Sequence, residues 1–439
     1  MLRYYLKLGV LSIRQNPVLS SLMTLAIAIG IGACMTIVTV HYVMSGDPIP
    51  QKSSQLHYVQ LDSWDPNSPA NEPNDPPDQV TYLDATALLA AGEARRQAVM
   101  YRSSWVIQPE GDDARPFEAD ARSTSRDFFA MFDVPFLYGG PWDRLADDNA
   151  EPVVVLGREL NEQLFGGENP VGRQLRMNGE LWRVTGVIDD WMPVPKFYDV
   201  TTGAFNDVEA LFLPFTTTIA REVYNSGNTN CWKPVPEGGW EAFVNSECVW
   251  MQFWVELEDR AARDAYMAFL DGYVESQKAL GRFPRPLNNR LRNVNEHLAY
   301  QEVVDDSVNI MLVLAVLFLV VCLLNTVGLL LAKVTRRSGD IGLRRALGAS
   351  RRAVFTQYII EAGLIGLSGG VLGVLLTWCG LQGIRVLYRG LDFIDKLARM
   401  DWVMVGAAVA LAIVSALAAA FYPTWRACAI QPASQLKTL

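Results

Sequence analysis

Histidine is nearly absent from this chain: there are three in 439 residues, and one of them, His41, falls inside an apolar run. His57 and His297 are the only imidazoles in polar sequence, and neither stands near a cysteine, so spacing argues against a Cys/His metal centre. Cysteine is also sparse. Of six, Cys34, Cys322 and Cys379 fall within apolar runs and Cys428 follows the last of them. Only Cys231 and Cys248 lie in the polar segment, flanking the loop-like stretch Lys233 to Trp240, and an oxidising compartment would favour their pairing as a disulfide. No G-x-x-x-x-G-K-[ST] string occurs, so these residues encode no backbone cradle and lysine for nucleotide phosphates. H-E-x-x-H and G-x-S-x-G are missing too, which removes the common hydrolase signatures. The acidic pairs Asp112-Asp113, Asp147-Asp148 and Asp189-Asp190 sit in turn-like contexts and read as solvated loops.

Charge is missing most tellingly from four stretches: Val18 to Met44, Ser307 to Ala332, Ala353 to Ile384 and Trp402 to Trp425. The first, second and fourth contain no Asp, Glu, Lys or Arg, and the third contains only Glu361. A spanning helix needs about 20 mostly apolar residues, and a soluble helix rarely stays uncharged on every face for so long. Four transmembrane helices are therefore expected, at 18–44, 307–332, 353–384 and 402–425. The first is too long for a signal-peptide core, contains Gly30 and Gly32, and lacks a small-x-small cleavage site. It reads as an uncleaved helix entered at Pro17, where a missing N–H costs little.

Orientation follows from Lys and Arg beside the spans. Arg3, Lys7 and Arg14 precede the first. Lys333, Arg336, Arg337, Arg344, Arg345, Arg351 and Arg352 lie between the second and third against Asp340 alone, and Arg426 and Lys437 follow the fourth. These segments share a side, and their positive excess assigns it to the cytoplasm. Between spans three and four, Arg385, Arg389, Lys396 and Arg399 run against the rule, accompanied by Asp392, Asp395 and Asp401. Residues 46–306 hold 22 Lys and Arg against 42 Asp and Glu, a net of −20. So acidic a domain argues against nucleic acid as a partner. Both termini are expected inside and the large domain outside.

The fold expected is an α-helical membrane protein with a large mixed α/β domain, 45–306, between the first and second spans. Leu56 to Leu61, Gln97 to Gln108, Pro116 to Ala121, Val153 to Leu156 and Trp250 to Glu256 read as strands. Arg173 to Met177 and Leu181 to Ile188 flank Asn178-Gly179, a strong hairpin signal. Helices are expected over Tyr82 to Ala94, over Ser125 to Phe132 with a Ser cap, and over Gly157 to Phe165, ended by Gly166-Gly167. Asp259 to Leu280 and Asn289 to Asp306 also read as helical, whereas Gly203 to Gly239 reads as irregular. A membrane-proximal part (45–135 and 250–306) would carry an inserted part (136–249). Trp191, Trp232, Trp240, Trp250 and Trp254 are mostly expected in its core.

The most specific local feature is the segment 333–352 between spans two and three. It mixes Arg336, Arg337, Arg344, Arg345 and Arg351 with Ile341, Leu343, Ala346 and Leu347, so it reads as a basic amphipathic helix. Asp340-Ile-Gly-Leu-Arg-Arg-Ala-Leu-Gly-Ala-Ser350, then Gln357, Glu361-Ala362 and a Gly-rich third span, resembles the FtsX/MacB-type permeases of ABC transporters. The basic N-terminal helix (1–17) and the closing Pro423-Thr-Trp-Arg-Ala427 with Gln431-Pro432 (tail 426–439) fit the same resemblance. So do Phe128-Phe129, Phe165-Gly-Gly-Glu-Asn-Pro-Val-Gly-Arg173 and Trp182-Arg-Val-Thr-Gly-Val187, which match the MacB-like periplasmic domain. Asp340 stands where the family more often has Glu, keeping the charge.

The resemblance implies a permease of the mechanotransmission kind in the bacterial inner membrane, itself not an enzyme and binding no cofactor. Two permease chains would pair, as a homo- or heterodimer. Separate cytoplasmic ABC ATPase subunits would hold the ATP and Mg and dock on Arg336, Arg337, Asp340, Ile341, Leu343, Arg344, Arg345, Leu347 and Arg351. Membrane lipid is a further partner, as are a periplasmic adaptor and an outer-membrane channel if the chain serves export. The function expected is export of a periplasmic or membrane-derived substrate; the alternative is FtsX-like regulation of a periplasmic hydrolase.

Within the spans, Ala362, Gly366 and Gly370, and likewise Gly369 and Gly373, are spaced by four, as are Ala28 and Gly32. Small residues at that spacing let helices approach closely in lipid. Leu367-Ser-Gly-Gly370 spells part of an ABC ATPase signature, but mid-span it reads as packing. A carboxylate within a span is a functional candidate by default. Glu361 lies two to three turns from Arg351 and Arg352, however, and is expected to pair with Gln357 or an arginine. Asn325 is expected to make an interhelical hydrogen bond.

Overall fold

The computed structural model describes residues 2–109, 115–387 and 402–429. The pair Asp112-Asp113, the loop residues Arg389, Asp392, Asp395, Lys396, Arg399 and Asp401, and the tail with Gln431-Pro432 and Lys437 lie outside the described residues. Two compact units emerge, one from the segments up to Ser45 and from Val304 on, the other from Gly46–Val303.

Helices α1 (Leu2–Gln15) and α2 (Pro17–Met44) come first. The second unit then runs β1 (Leu56–Gln60), β2 (Val80–Thr81), α3 (Tyr82–Ala91), β3 (Arg96–Gln108), β4 (Phe117–Thr124), α4 (Asp127–Met131), β5 (Phe136–Gly139) and α5 (Arg144–Asp148). It continues with β6 (Val153–Leu156), α6 (Arg158–Phe165), β7 (Gln174–Met177), β8 (Glu180–Ile188), β9 (Leu211–Pro214), α7 (Phe215–Ala220) and α8 (Gly239–Val244). It closes with β10 (Val249–Glu256), α9 (Arg260–Ala279), β11 (Arg290–Asn293) and α10 (Val294–Tyr300). The chain then returns to the first unit as α11 (Asp306–Arg336), α12 (Ser338–Ala346), α13 (Arg351–Leu387) and α14 (Trp402–Ala429).

Helices α2, α11, α13 and α14 are each long and apolar enough to cross a membrane. Pro17 sits in the first turn of α2, as expected. The glycines of α13 serve two neighbours. A methyl placed on Gly366 would come within 2.6 Å of the Ala416 Cβ and 3.1 Å of the Ala412 carbonyl of α14, and one on Gly370 within 3.0 Å of the Ala412 Cβ. Gly369 and Gly373 instead face α2, where a methyl would meet Ile27 at 2.8 Å and Ile31 at 2.9 Å. Gly32 of α2 returns the contact, against Leu376 at 2.7 Å. Residues three apart on a helix differ by about 60° in direction, so one glycine-rich helix is gripped from two sides. Asn325 departs from expectation. It lies on the exposed side of α11, next to the inward stripe of Cys322 and Thr326, and makes no side-chain hydrogen bond among the described residues.

In the second unit one sheet runs β11-β1-β10-β3-β4-β9-β6-β8-β5, with β2 beside β10 and β7 bridging β3 and β8. It passes without a break from the strands nearest the chain's two entries, β1 and β11, into the 136–249 segment. The joins are the parallel pairing of β4 with β9, Ala121 opposite Leu211 and Thr124 opposite Pro214, and the short antiparallel pairing of β3 with β7, Ile107 opposite Met177. Strand β10 is buried along its whole length. Trp254 enters one core with Tyr58, Phe128 and Phe132, while Phe253 and Val255 meet Tyr266, Leu270 and Val274 of α9 in the other. The β7–β8 hairpin turns at Asn178 (φ 48°) and Gly179 (φ 85°), the left-handed pair such a tight turn requires.

Four expectations fail here. Asp147-Asp148 is no solvated loop but the end of α5, and Asp147 accepts from Thr216 at 3.1 Å. Residues Gly203 to Gly239 are not wholly irregular, because β9 and α7 lie among them. Asn289 to Asp306 is no single helix: β11 pairs with β1, and α10 starts afresh at an Asn293–Glu296 capping box. Ser125 does not cap α4; its hydroxyl donates to the Gln97 carbonyl at 3.0 Å, tying the helix entrance to β3 instead.

The sheet also covers a fully buried charge cluster. Arg122 of β4 donates to Asp199 at 2.6 Å and to Glu209, while Lys196 reaches Glu209 at 2.8 Å. Tyr198 donates to Glu209 at 2.9 Å and Gln252 of β10 to Asp199 at 2.9 Å. Two cations face two anions, so the cluster is neutral. Burial pushes both carboxyls up, but Arg122 and Lys196 outweigh it and hold Asp199 and Glu209 below their ordinary range. Removing one member would leave an uncompensated buried charge.

Candidate functional site

The candidate site is built at the end of the bundle that carries α1 and α12. Helix α12 is a corner piece: Arg337 closes α11 and opens α12, and Gly348, at φ 100°, turns the chain toward α13. Its apolar side chains divide. Ile341 is buried with Val334 of α11 and Val354 of α13, against Phe355 and Tyr358. Leu343 and Leu347 are 55% and 81% exposed. The expectation that Ile341, Leu343 and Leu347 all offer themselves to a partner therefore needs correction. Ile341 anchors the corner to its own bundle, and only the two leucines face outward.

The arginines divide as well. Arg344 donates to Gln357 of α13 at 3.2 Å. Arg337 reaches across to α1, donating to Ser12 at 2.8 Å and to Gln15 at 3.0 Å. Arg345 and Arg351 are also engaged with neighbours. Arg336 is exposed on the last turn of α11. Asp340 lies in α12, but its side chain is outside the described set.

Helix α1 crosses α13 at Gly9, where a methyl would come within 2.9 Å of Leu364 and 3.7 Å of the Glu361 Cα. One turn on, Ser12 donates to a Glu361 carboxylate oxygen at 2.9 Å. Lys333 of α11 donates to the same oxygen and to Ser20 of α2 at 3.2 Å. Glu361 is thus paired, as the sequence suggests, but with different partners. Gln357 lies one turn closer to α12 and is taken by Arg344, whereas at the level of Glu361, among the described residues, Lys333 and Ser12 are the ones that reach in. Sequence reasoning missed Gly9, Ser12, Ser20 and Lys333. The usable signal was Lys333 itself, the charge at which the uncharged run of α11 stops. On its other side α1 leaves Tyr4, Leu6, Val10 and Leu11 exposed.

The other predicted residues lie elsewhere. Gly366, Gly370 and Gly373 line the helix contacts described above. Cys231 and Cys248 are joined in a disulfide with a Cα separation of 4.3 Å. Among the described residues no group of three or more His, Cys, Asp and Glu is placed to hold a metal.

Residues 20–272 match the family described as MacB-like periplasmic core domain, and residues 312–432 match the FtsX-like permease C-terminal family. The chain is 24% identical over 372 residues to the macrolide export ATP-binding/permease protein MacB of Rhodospirillum rubrum, covering 84% of this chain and 51% of that protein. It is 22% identical over 329 residues to the pyoverdine export ATP-binding/permease protein PvdT of Pseudomonas entomophila, covering 74% and 44%. The chain spans about half the length of these curated relatives. Among solved structures, the periplasmic region of MacB from Actinobacillus actinomycetemcomitans is similar at 15% identity and a TM-score of 0.37, covering 58% of this chain and 96% of that one.

Proposed function

This chain belongs to the family of ABC-transporter permeases that join a MacB-like periplasmic core domain to an FtsX-like permease region, and from that premise we propose how it works. ABC ATPase subunits on separate chains dock on α12 and α1 at the cytoplasmic face, and their ATP and Mg stay with them. Both termini are cytoplasmic, and residues 46–303 lie outside the inner membrane. ATP-driven movement of the docked subunit is passed through the α11–α12–α13 corner to the spans and on to the outer domain. There it drives export of a periplasmic or membrane-derived substrate, with a second permease chain, an adaptor and an outer-membrane channel as partners.

The observation that carries this reading is the pair Leu343 and Leu347. Two exposed leucines on a helix fastened directly to two spans are poorly used in water and well placed to fill a groove on a partner. Covering their exposed surface contributes roughly 1–2 kcal/mol each. Arg336, on the neighbouring exposed surface, adds orientation more than affinity. The competing occupant is anionic lipid, which basic amphipathic helices also bind.

The test is Leu343→Asp with Leu347→Asp in the full chain. The double variant should insert and fold, yet lose the ABC ATPase that purifies with the wild-type chain from native membranes, with affinity down at least about thirtyfold. Retained co-purification and ATP turnover would reject docking through α12. If no ATPase purifies with the wild-type chain, the separate-subunit reading falls.

A further inference from the structure

The four elements that meet around Glu361 are fastened by groups almost wholly removed from solvent: Ser12, Ser20, Lys333 and Glu361 are each at most 4% exposed. A single carboxylate oxygen takes both Lys333 and Ser12, while the other has no hydrogen-bond partner among the described residues. Ser12 is doubly used, donating to Glu361 and accepting from Arg337 at 2.8 Å. Because Arg337 is the residue at which α11 turns into α12, Ser12 ties α1 to the corner and to α13 through one hydroxyl. Gly9, one turn earlier, permits the close crossing that brings Ser12 within reach.

A pair of ions this deeply buried contributes little to stability relative to apolar side chains of similar shape. Its hydrogen bonds are directional, however, and fix one arrangement of four helices where apolar contacts alone would accept several.

We propose that Glu361, held by Lys333, is a positioning residue that locks α1 and the α11–α12 corner into one frame through Ser12 and Arg337, so that α1 and α12 move as a single docking plate. This rests on the coupling reading above and adds to it. A partner pressing on Leu347 also carries α1, and the plate bears on α2, α11 and α13 together. Without the node, α12 would still be gripped through Ile341, but α1 would keep only its packing at Gly9 and the exposed Arg337–Gln15 hydrogen bond, and would follow the corner loosely.

The test needs no ATPase. Spin labels at Lys7→Cys and Leu347→Cys, in a full chain carrying C379S and C428S, report the distance between α1 and α12 in nanodiscs. The wild-type node should give one narrow distribution, and Lys333→Arg should keep it. The neutral double variant Lys333→Met with Glu361→Leu, which leaves Ser12 no acceptor on α13, should shift and broaden it, while Cys34 and Cys322 stay as resistant to thiol reagents as before. That combination separates loss of positioning from loss of packing. Should the double variant expose those cysteines, Ser12→Ala with Gln15→Ala is the deciding change, since together they remove the side-chain hydrogen bonds of α1 to Glu361 and Arg337 and leave the buried ion pair intact. That pair should broaden the distribution by itself. A distribution that stays narrow in Ser12→Ala with Gln15→Ala overturns the proposal, whether or not an ATPase binds α12. Loss of ATPase binding in the Leu343/Leu347 variant would speak to docking alone.

Discussion

Adding one methyl group at Gly366 should loosen the bundle, whereas the same methyl at Gly363, less than a turn away on α13, should not. At Gly366 the new carbon would lie 2.6 Å from the Ala416 Cβ, 3.1 Å from the Ala412 carbonyl oxygen and 3.3 Å from the Ile413 Cα. None of these is the far end of a flexible side chain, so relief requires α13 and α14 to separate. Overpacking of this kind costs about 1–3 kcal/mol. At Gly363 the nearest atom is a Leu417 methyl at 3.9 Å, an ordinary contact, and replacing glycine within a helix gains up to about 1 kcal/mol. Cys34 and Cys322, 3% and 7% exposed, are built-in reporters. In full chains with Cys379 and Cys428 replaced by serine, their modification by a membrane-permeant maleimide reads transient opening of the bundle. Gly366→Ala should speed it about 5- to 150-fold, and Gly363→Ala should leave it equal or slower. Equal rates in the two variants would show that α13 and α14 do not pack through this face.

Three further outcomes concern the second unit. Replacing Cys231 and Cys248 by serine should cost at most about 3 kcal/mol for a loop of this length, read by pulse proteolysis, and intact mass should show no free thiol on the wild-type pair. Burial, helped by Arg292, holds His297 down at about 3 against an ordinary 6.5, so the unfolded chain takes a proton that the fold refuses. Stability should be unaffected above pH 6.5 and fall by about 1.4 kcal/mol per pH unit from there toward pH 3. His297→Phe should remove its share of that slope, leaving the share of His57, which burial also holds below its ordinary value, until Asp199 and Glu209 add their own loss in the same direction below their ordinary values. Glu209→Ala should cost about 3–5 kcal/mol by leaving Arg122 and Lys196 against a single anion, seen as faster hydrogen exchange in β4 and β9.

The spans were legible because hydrocarbon demands an unbroken apolar run, a constraint written entirely in local sequence. The β7–β8 hairpin was legible for a similar reason, since Asn178-Gly179 specifies its own turn. Strand β9 was not. Four residues, Leu211 to Pro214, carry no period of their own, and they become a strand only because β4 and β6 offer them two ladders. Strand β11 was hidden by the helix-forming residues of α10 that follow it. The node at Glu361 was half legible: an acid in an apolar run announces a partner, but Lys333 and Ser12 are 28 and 349 residues away. Ile341 looked like its leucine neighbours because composition does not say which side of a nine-residue helix a corner turns inward.

The ends of the sheet have a consequence for recognition. It terminates in β11 on one side and β5 on the other, each four residues long, and β2 adds only two beside β10. An edge that short offers an incoming strand only a few backbone hydrogen bonds, and such brevity is a common protection against edge-to-edge association. Gly139, at φ 62°, also bends the end of β5 out of extended form. A partner of the proposed assembly would therefore be recognised chiefly by side chains and loops on the faces of this domain. It could change in sequence without a shared backbone register to preserve, and a second copy could crowd alongside without zipping into a common sheet.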